Sequence, residues 1–215
     1  MATPEKGEVS ALLMLPHNAT HLLVLGHGAS SNMRHPMMTA IAEALAAENI
    51  ATFRYNFPYS EKGGGRNSKD VCVATIRSAV AAAREAAPDL PILAGGHSFS
   101  GRMTSTSAAE SPLDGISGLV FLSFPLHPAG ESTATRADHL EDVGIPMLFL
   151  SGSRDALAEL ELLKSVVKKL GRSAKLHLLE TADHSFKILK KTRLSDEDVL
   201  AEAARVVREW ASGLG

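Results

Sequence analysis

The apolar residues of the chain fall into short solid runs separated by stripes at helical spacing. The runs are Leu22-Leu23-Val24-Leu25 before Gly26, Ile50 to Tyr55, Pro91-Ile92-Leu93-Ala94, Leu119 to Leu122, Met147 to Leu150 and Leu176 to Leu179. Stretches that are apolar at nearly every position predict strands covered on both faces, as in a parallel sheet. An earlier stretch, Val9 to Leu15, predicts an opening strand. Glu5 and Glu8 beside it, the Pro16-His17 stop and the lack of a small-residue cleavage pattern speak against a signal peptide.

The stripes lie between these runs. Pro36 suits a first helical position, and Met38, Ile41, Ala42 and Leu45 follow on one face. After the flexible Gly63-Gly64-Gly65, a second stripe is Val73, Ile76, Val80, Ala83 and Ala87. A helix from about Gly101 to Glu110 comes next. Leu160, Leu163, Val167 and Leu170 point inward from another, which Gly171 would end as a left-handed cap. The last helix is predicted to start at Ser195, with Asp198 completing a capping pair, and to bury Val199, Ala203, Val206, Val207 and Trp210.

Strands alternating with helices predict an α/β fold: a three-layer α/β/α sandwich around a mostly parallel sheet. No repeat or linker divides the chain, so residues 1–215 are expected to form a single domain. In such sheets ligands and reactive groups gather beyond the carboxyl ends of the strands.

Composition narrows the partners. A formal net charge of -2 lacks the basic field that attracts phosphate backbones or anionic lipid, so neither nucleic acid nor membrane is expected. No apolar run approaches the roughly 20 residues that span a bilayer. Cys72 is the only cysteine, which excludes an internal disulfide and fits a reducing compartment. A soluble, cytoplasmic protein is the expectation, with oligomeric state undetermined.

The main chemical signal is Gly95-Gly96-His97-Ser98-Phe99-Ser100-Gly101, between a buried strand and a helix. A serine on such a turn is the candidate nucleophile, and positions two before and two after it must be small for strand and helix to pass closely. Gly96 and Ser100 satisfy that, Ser100 replacing the usual glycine. A hydroxyl needs an imidazole to take its proton, and the imidazole needs a carboxylate on its other nitrogen. Asp155 follows the run Met147 to Leu150, and His184 follows the run ending at Leu179. The order Ser98, Asp155, His184 is the one this architecture requires.

Asp155 also suits a helix N-cap. Asp183 is a rival acid, but it neighbours His184 and the two side chains diverge, so a loop or capping role fits it better. Acyl transfer further needs N–H donors for the oxyanion; the backbone of Phe99 and of Ala29, in the Gly26-His27-Gly28-Ala29 loop, would supply them. A dinucleotide site is not expected, because Ser31 stands where a third glycine belongs and Arg54-Tyr55-Asn56 offers no acid for a ribose. No metal-spaced His/Cys cluster occurs, so neither cofactor nor metal is expected.

Taken together, these residues resemble the α/β-hydrolase superfamily over about Val9 to Trp210. Phe53-Arg54-Tyr55-Asn56-Phe57-Pro58-Tyr59 and Phe124-Pro125-Leu126-His127-Pro128 resemble a dienelactone-hydrolase-like branch of bacterial hydrolases. That branch also holds a testis-expressed protein and a subunit of a chromatin acetyltransferase complex. The resemblance implies the fold and a triad without a substrate. Dienelactone hydrolases proper use a cysteine where Ser98 stands, so their reaction is not implied.

Only about twenty residues separate Leu122 from Ile145, too few for a large cap, so the site should be open. Tyr55, Arg66, Arg102, His127, Arg136 and His139 are candidates for its rim, and arginines there would suit an anionic group. The expected activity is hydrolysis of an ester, thioester or related acyl bond of a small molecule through a Ser98 acyl-enzyme. The alternatives are a scaffold with an idle triad, as in some animal relatives, and a peptidase or acyltransferase using the same residues.

Overall fold

The computed structural model describes residues 2–3 and 7–214; the Glu5 named above lies outside them. A two-residue ladder opens the chain, β1 (Ala2–Thr3) against β2 (Gly7–Glu8). Seven strands form the main sheet: β3 (Ala11–Met14), β4 (His21–Gly26), β5 (Ile50–Tyr55), β6 (Ile92–His97), β7 (Ile116–Leu122), β8 (Met147–Gly152) and β9 (Ala174–Leu179). Their spatial order is β3-β5-β4-β6-β7-β8-β9. All pairings are parallel except that β3 runs antiparallel to β5.

The helices are α1 (Pro36–Ala47), α2 (Pro58–Lys62), α3 (Lys69–Ala86), α4 (Phe99–Glu110), α5 (Leu160–Leu170) and α6 (Val199–Ala211). Side chains of a strand alternate between faces, and both faces here are buried. Leu22, Val24, Phe121 and Phe149 join the core under α3, α4 and α5, whereas Leu23, Leu25, Val120 and Leu148 join the one under α1 and α6. This is the three-layer α/β/α sandwich with a mostly parallel sheet.

Element boundaries differ from the sequence reading where backbone chemistry overrides hydrophobicity. β6 continues past Ala94 through Gly95, Gly96 and His97, because ladder pairing to β7 needs no apolar side chain. α4 begins at once with Phe99 rather than Gly101. The buried stripe of α3 is Val71, Cys72, Thr75, Ile76, Ala79, Val80 and Ala83; Val73 is only partly covered. Gly171 has positive φ, but its ψ of -129° lies outside the left-handed helical region. α6 starts at Val199, not Ser195: Asp198 is the N-cap and accepts from the N–H groups of Leu200 and Ala201 at 2.9 and 3.1 Å. Ser195 instead closes a local turn by accepting from Glu197 N–H. The short α2 and the 3-10 turns at Thr135–Asp142 had no periodic signal.

Among the described residues no helix is long and apolar enough to cross a membrane.

Candidate active site

Ser98 occupies the junction between β6 and α4 with φ +52° and ψ -111°. A non-glycine residue at such angles is strained, and strain persists only where the surroundings over-determine it. The surroundings are tight. A Cβ on Gly96 would come within 2.2 Å of Ser100 Oγ and 2.3 Å of the Gly26 carbonyl, and one on Gly101 within 2.8 Å of the Gly96 carbonyl. Position 100 tolerates serine because Gly26 has no side chain: a Cβ there would meet Ser100 Cβ at 2.5 Å. The Ser100 hydroxyl is satisfied by donating to the His97 carbonyl at 3.1 Å.

The strained turn presents Ser98 Oγ to His184 Nε2 at 2.8 Å. His184 Nδ1 lies 2.9 and 2.8 Å from the two carboxylate oxygens of Asp155. The acid is buried and the imidazole partly open to solvent, so the donor side of the ring faces protein while Ser98 faces the opening. Asp155 also closes a local turn, accepting from Leu157 N–H at 2.8 Å, so the structural and site roles coexist on one side chain. The rival Asp183 accepts instead from the N–H groups of Ser185 and Lys187 and only shapes the loop.

Asp155 follows β8 and His184 follows β9, and the two loops are fastened to one another. Arg154 N–H donates to the Ala182 carbonyl at 2.9 Å, Thr181 N–H donates to Ser153 Oγ at 2.9 Å, and the Arg154 guanidinium donates to the Thr181 carbonyl at 3.1 Å. Gly152 makes this possible, since a Cβ there would lie 2.3 Å from the Ala182 carbonyl. From the other side His97 Nε2 donates to the His184 carbonyl at 3.0 Å. Sequence reasoning missed Gly152, Ser153 and His97; the only available signal was a Ser-Gly-Ser stretch just before the acid.

The Gly26-His27-Gly28-Ala29 loop is held by the buried His27. Its Nδ1 donates to the Gly28 carbonyl at 2.8 Å and its Nε2 accepts from Phe57 N–H at 3.3 Å. Burial lowers the His27 pKa, keeping the ring neutral so that both bonds form together. Phe99 opens α4, so its N–H has no carbonyl one turn back.

A family model described as an alpha/beta hydrolase domain matches residues 19–212. The chain belongs to that family. Among solved structures, this α/β hydrolase resembles a dienelactone hydrolase from Anabaena variabilis with a TM-score of 0.76 and 19% identity, over 99% of this chain and 94% of that one. An alpha-beta serine hydrolase homologue from Coxiella burnetii matches with a TM-score of 0.73 and 18% identity, covering 97% and 94%. A serine hydrolase without lid from Xanthomonas campestris matches with a TM-score of 0.71 and 19% identity, covering 97% and 92%. At such identities the likeness concerns the fold.

The six rim candidates of the α/β hydrolase separate sharply. Tyr55 and His127 do not rim the site: each is 1% exposed. Tyr55 sits in the core at an edge to Phe57, and His127 Nδ1 donates to the Pro128 carbonyl at 2.8 Å. A residue ending an inner strand, or following a buried Phe-Pro-Leu segment, is drawn inward with its neighbours. His139 is half-buried and its Nε2 is engaged with Ser105 Oγ at 2.7 Å. Two of the arginines lie beside the residue that follows Ser98: Cζ of Arg66 and of Arg102 lie 5.7 and 6.0 Å from the centre of the Phe99 ring. Arg136 donates to the His127 carbonyl at 2.9 Å. Arg66 also lines an open groove of about 550 Å³, together with Ala29, Tyr59, Ser60 and Gly64 among others. No α-helix occurs between β7 and β8, so no cap domain covers this face among the described residues.

Proposed function

We propose that this α/β hydrolase is a serine hydrolase that cleaves an ester, thioester or related acyl bond of a small molecule. The observation that carries the reading is the continuous path from Ser98 Oγ through the His184 ring to Asp155, with every link at 2.8 or 2.9 Å. Attack of Ser98 Oγ on the acyl carbon transfers the hydroxyl proton to His184 Nε2, and Asp155 holds the ring in the tautomer that can receive it. The oxyanion is stabilised by the backbone N–H groups of Ala29 and Phe99. Collapse breaks the bond to the leaving group, which takes the proton from His184. A water molecule then releases the acid by the same steps in reverse roles, regenerating Ser98.

The Phe53 to Tyr59 and Phe124 to Pro128 segments support the dienelactone-hydrolase-like placement. In the first, Phe57 and Tyr59 stack with centroids 5.9 Å apart and pack their edges against Phe99. With Cys72 as the sole cysteine, a reducing cytoplasmic setting fits this reading.

The test is labelling with a neutral serine-directed fluorophosphonate. Wild-type protein is expected to label at one site and Ser98→Ala not at all, with ester and thioester panels then ranking acyl groups. A folded wild type that resists labelling and turns over no acyl substrate overturns the proposal in favour of a binding role.

A further inference from the structure

Phe99, which follows the nucleophile, carries two guanidinium groups on its ring. Arg66 comes from the loop before α3 and is exposed; Arg102 comes from the first turns of α4 and is partly buried. Stacking on an aromatic face explains how two arginines are held there, but the ring contributes no negative charge. Arg136 lies in the Thr135–Asp142 segment between β7 and β8, which packs on α4: His139 Nε2 meets Ser105 Oγ at 2.7 Å, three residues on from Arg136 and Arg102 respectively, and the Arg136 charge is felt at Arg102. Burial and these two cations, in that order, depress its basicity.

No carboxylate answers this charge. Ion pairs elsewhere join Lys69, Lys164, Lys169, Arg193, Arg205 and Arg208 to acids, and the unpaired Arg54, Arg77, Arg84 and Arg154 spend guanidinium donors on backbone carbonyls; among the described residues Arg66, Arg102 and Arg136 have no acid in reach, and the Arg66 and Arg102 guanidinium groups make no hydrogen bond either. Arg136 spends one donor on the His127 carbonyl, which aims its group without neutralising it. On a chain with net charge -2, where acids are plentiful, three neighbouring cations lacking a counter-ion mark a place where the counter-ion comes with a ligand. One groove is lined both by Ala29, the proposed oxyanion donor, and by Arg66.

We infer that Arg66, Arg102 and Arg136 form an anion subsite beside Ser98, and that the substrate carries at least two negative charges on the portion that does not react. One charge would leave two of the three guanidinium groups unneutralised. A phosphate monoester or a dicarboxylate has the required chemistry, and both match the planar fork of arginine. The inference rests on the serine-hydrolase reading for where the substrate reacts; the charge accounting stands apart from it.

The experiment uses three fluorophosphonates of equal length whose tails end in a hydroxyl, a carboxylate or a phosphate monoester. At low salt the phosphate probe is expected to label Ser98 at least about 10 times faster than the hydroxyl probe, with the carboxylate between them; added salt should shrink the ratio. Arg66→Gln and Arg102→Gln should each bring it toward 1, and exposed Arg66 serves if the Arg102 variant folds poorly. Equal rates for all three probes overturn the subsite, and a carboxylate probe as fast as the phosphate one overturns the need for two charges. If no probe labels, the hydrolase reading falls, and calorimetric titration with inorganic pyrophosphate decides the subsite alone. Binding that Arg66→Gln weakens supports it, and no heat in wild type overturns it.

Discussion

His97 Nε2 donates a hydrogen bond across 3.0 Å to the backbone carbonyl of His184, so the residue preceding the proposed nucleophile holds the loop that bears the proposed base. Their rings lie 5.3 Å apart, and the Phe186 ring meets His97 edge-on with centroids 6.2 Å apart. His97→Phe keeps the packing and removes the donor, and it should slow fluorophosphonate labelling of Ser98 by roughly 10-fold through a loosened loop. His97→Gln, which can still donate, should recover most of the rate. Equal rates in the two variants would assign His97 to packing alone.

Burial lowers His97 from the usual 6.5 to about 4. Between those values the unfolded chain binds a proton that the folded chain refuses, so stability rises with pH across the window, is complete above 6.5 and is progressively lost toward 4. The contribution is on the order of 3 kcal/mol. His27 and His139 are lowered by burial as well and act in the same direction. Urea denaturation at pH 5 and pH 7.5 should show the loss, and His97→Gln should flatten the difference; an unchanged slope in that variant would contradict the assignment.

Asp155→Asn presents an amide to the ring where Nδ1 now meets two carboxylate oxygens. The imidazole then favours the tautomer that cannot take the Ser98 proton, and turnover should fall by about 10⁴-fold. Leu157 N–H can still donate to the amide oxygen, so the thermal midpoint should move little. A loss of turnover below tenfold would remove Asp155 from the mechanism.

Gly26→Ala places a methyl 2.5 Å from Ser100 Cβ and 2.7 Å from the Tyr55 hydroxyl. It should destabilise the protein by about 1–3 kcal/mol as an overpacked core does. Ser100→Gly in the same chain should restore part of the loss, because it clears one of the two collisions. Additive effects across the cycle would mean that the residues do not share this space.

The fold was legible to the extent that it depends on burial along the chain. Leu22 to Leu25, Leu119 to Leu122 and Met147 to Leu150 announce strands because both faces of a parallel sheet must be apolar, and the α1 stripe announces a helix because Met38, Ile41, Ala42 and Leu45 share one side. Gly95-Gly96-His97 carries no such signal, and only pairing with β4 and β7 shows it to be strand. Ser195 and Asp198 are both acceptable caps; which one ends a helix depends on where α6 docks.

Chain order and strand-end positions by themselves determined Ser98, Asp155 and His184 as candidates, because the parallel strands of an α/β sheet send their carboxyl-end loops to one edge. Distances, burial and charge balance were decided only by the tertiary structure. Tyr55 and His127 read like rim residues yet are swallowed by the core, while Arg66 and Arg102, far apart in sequence, meet at the ring of Phe99. The reason is physical: periodicity records what each residue does for its own element, and whether two side chains from different elements meet depends on how those elements pack.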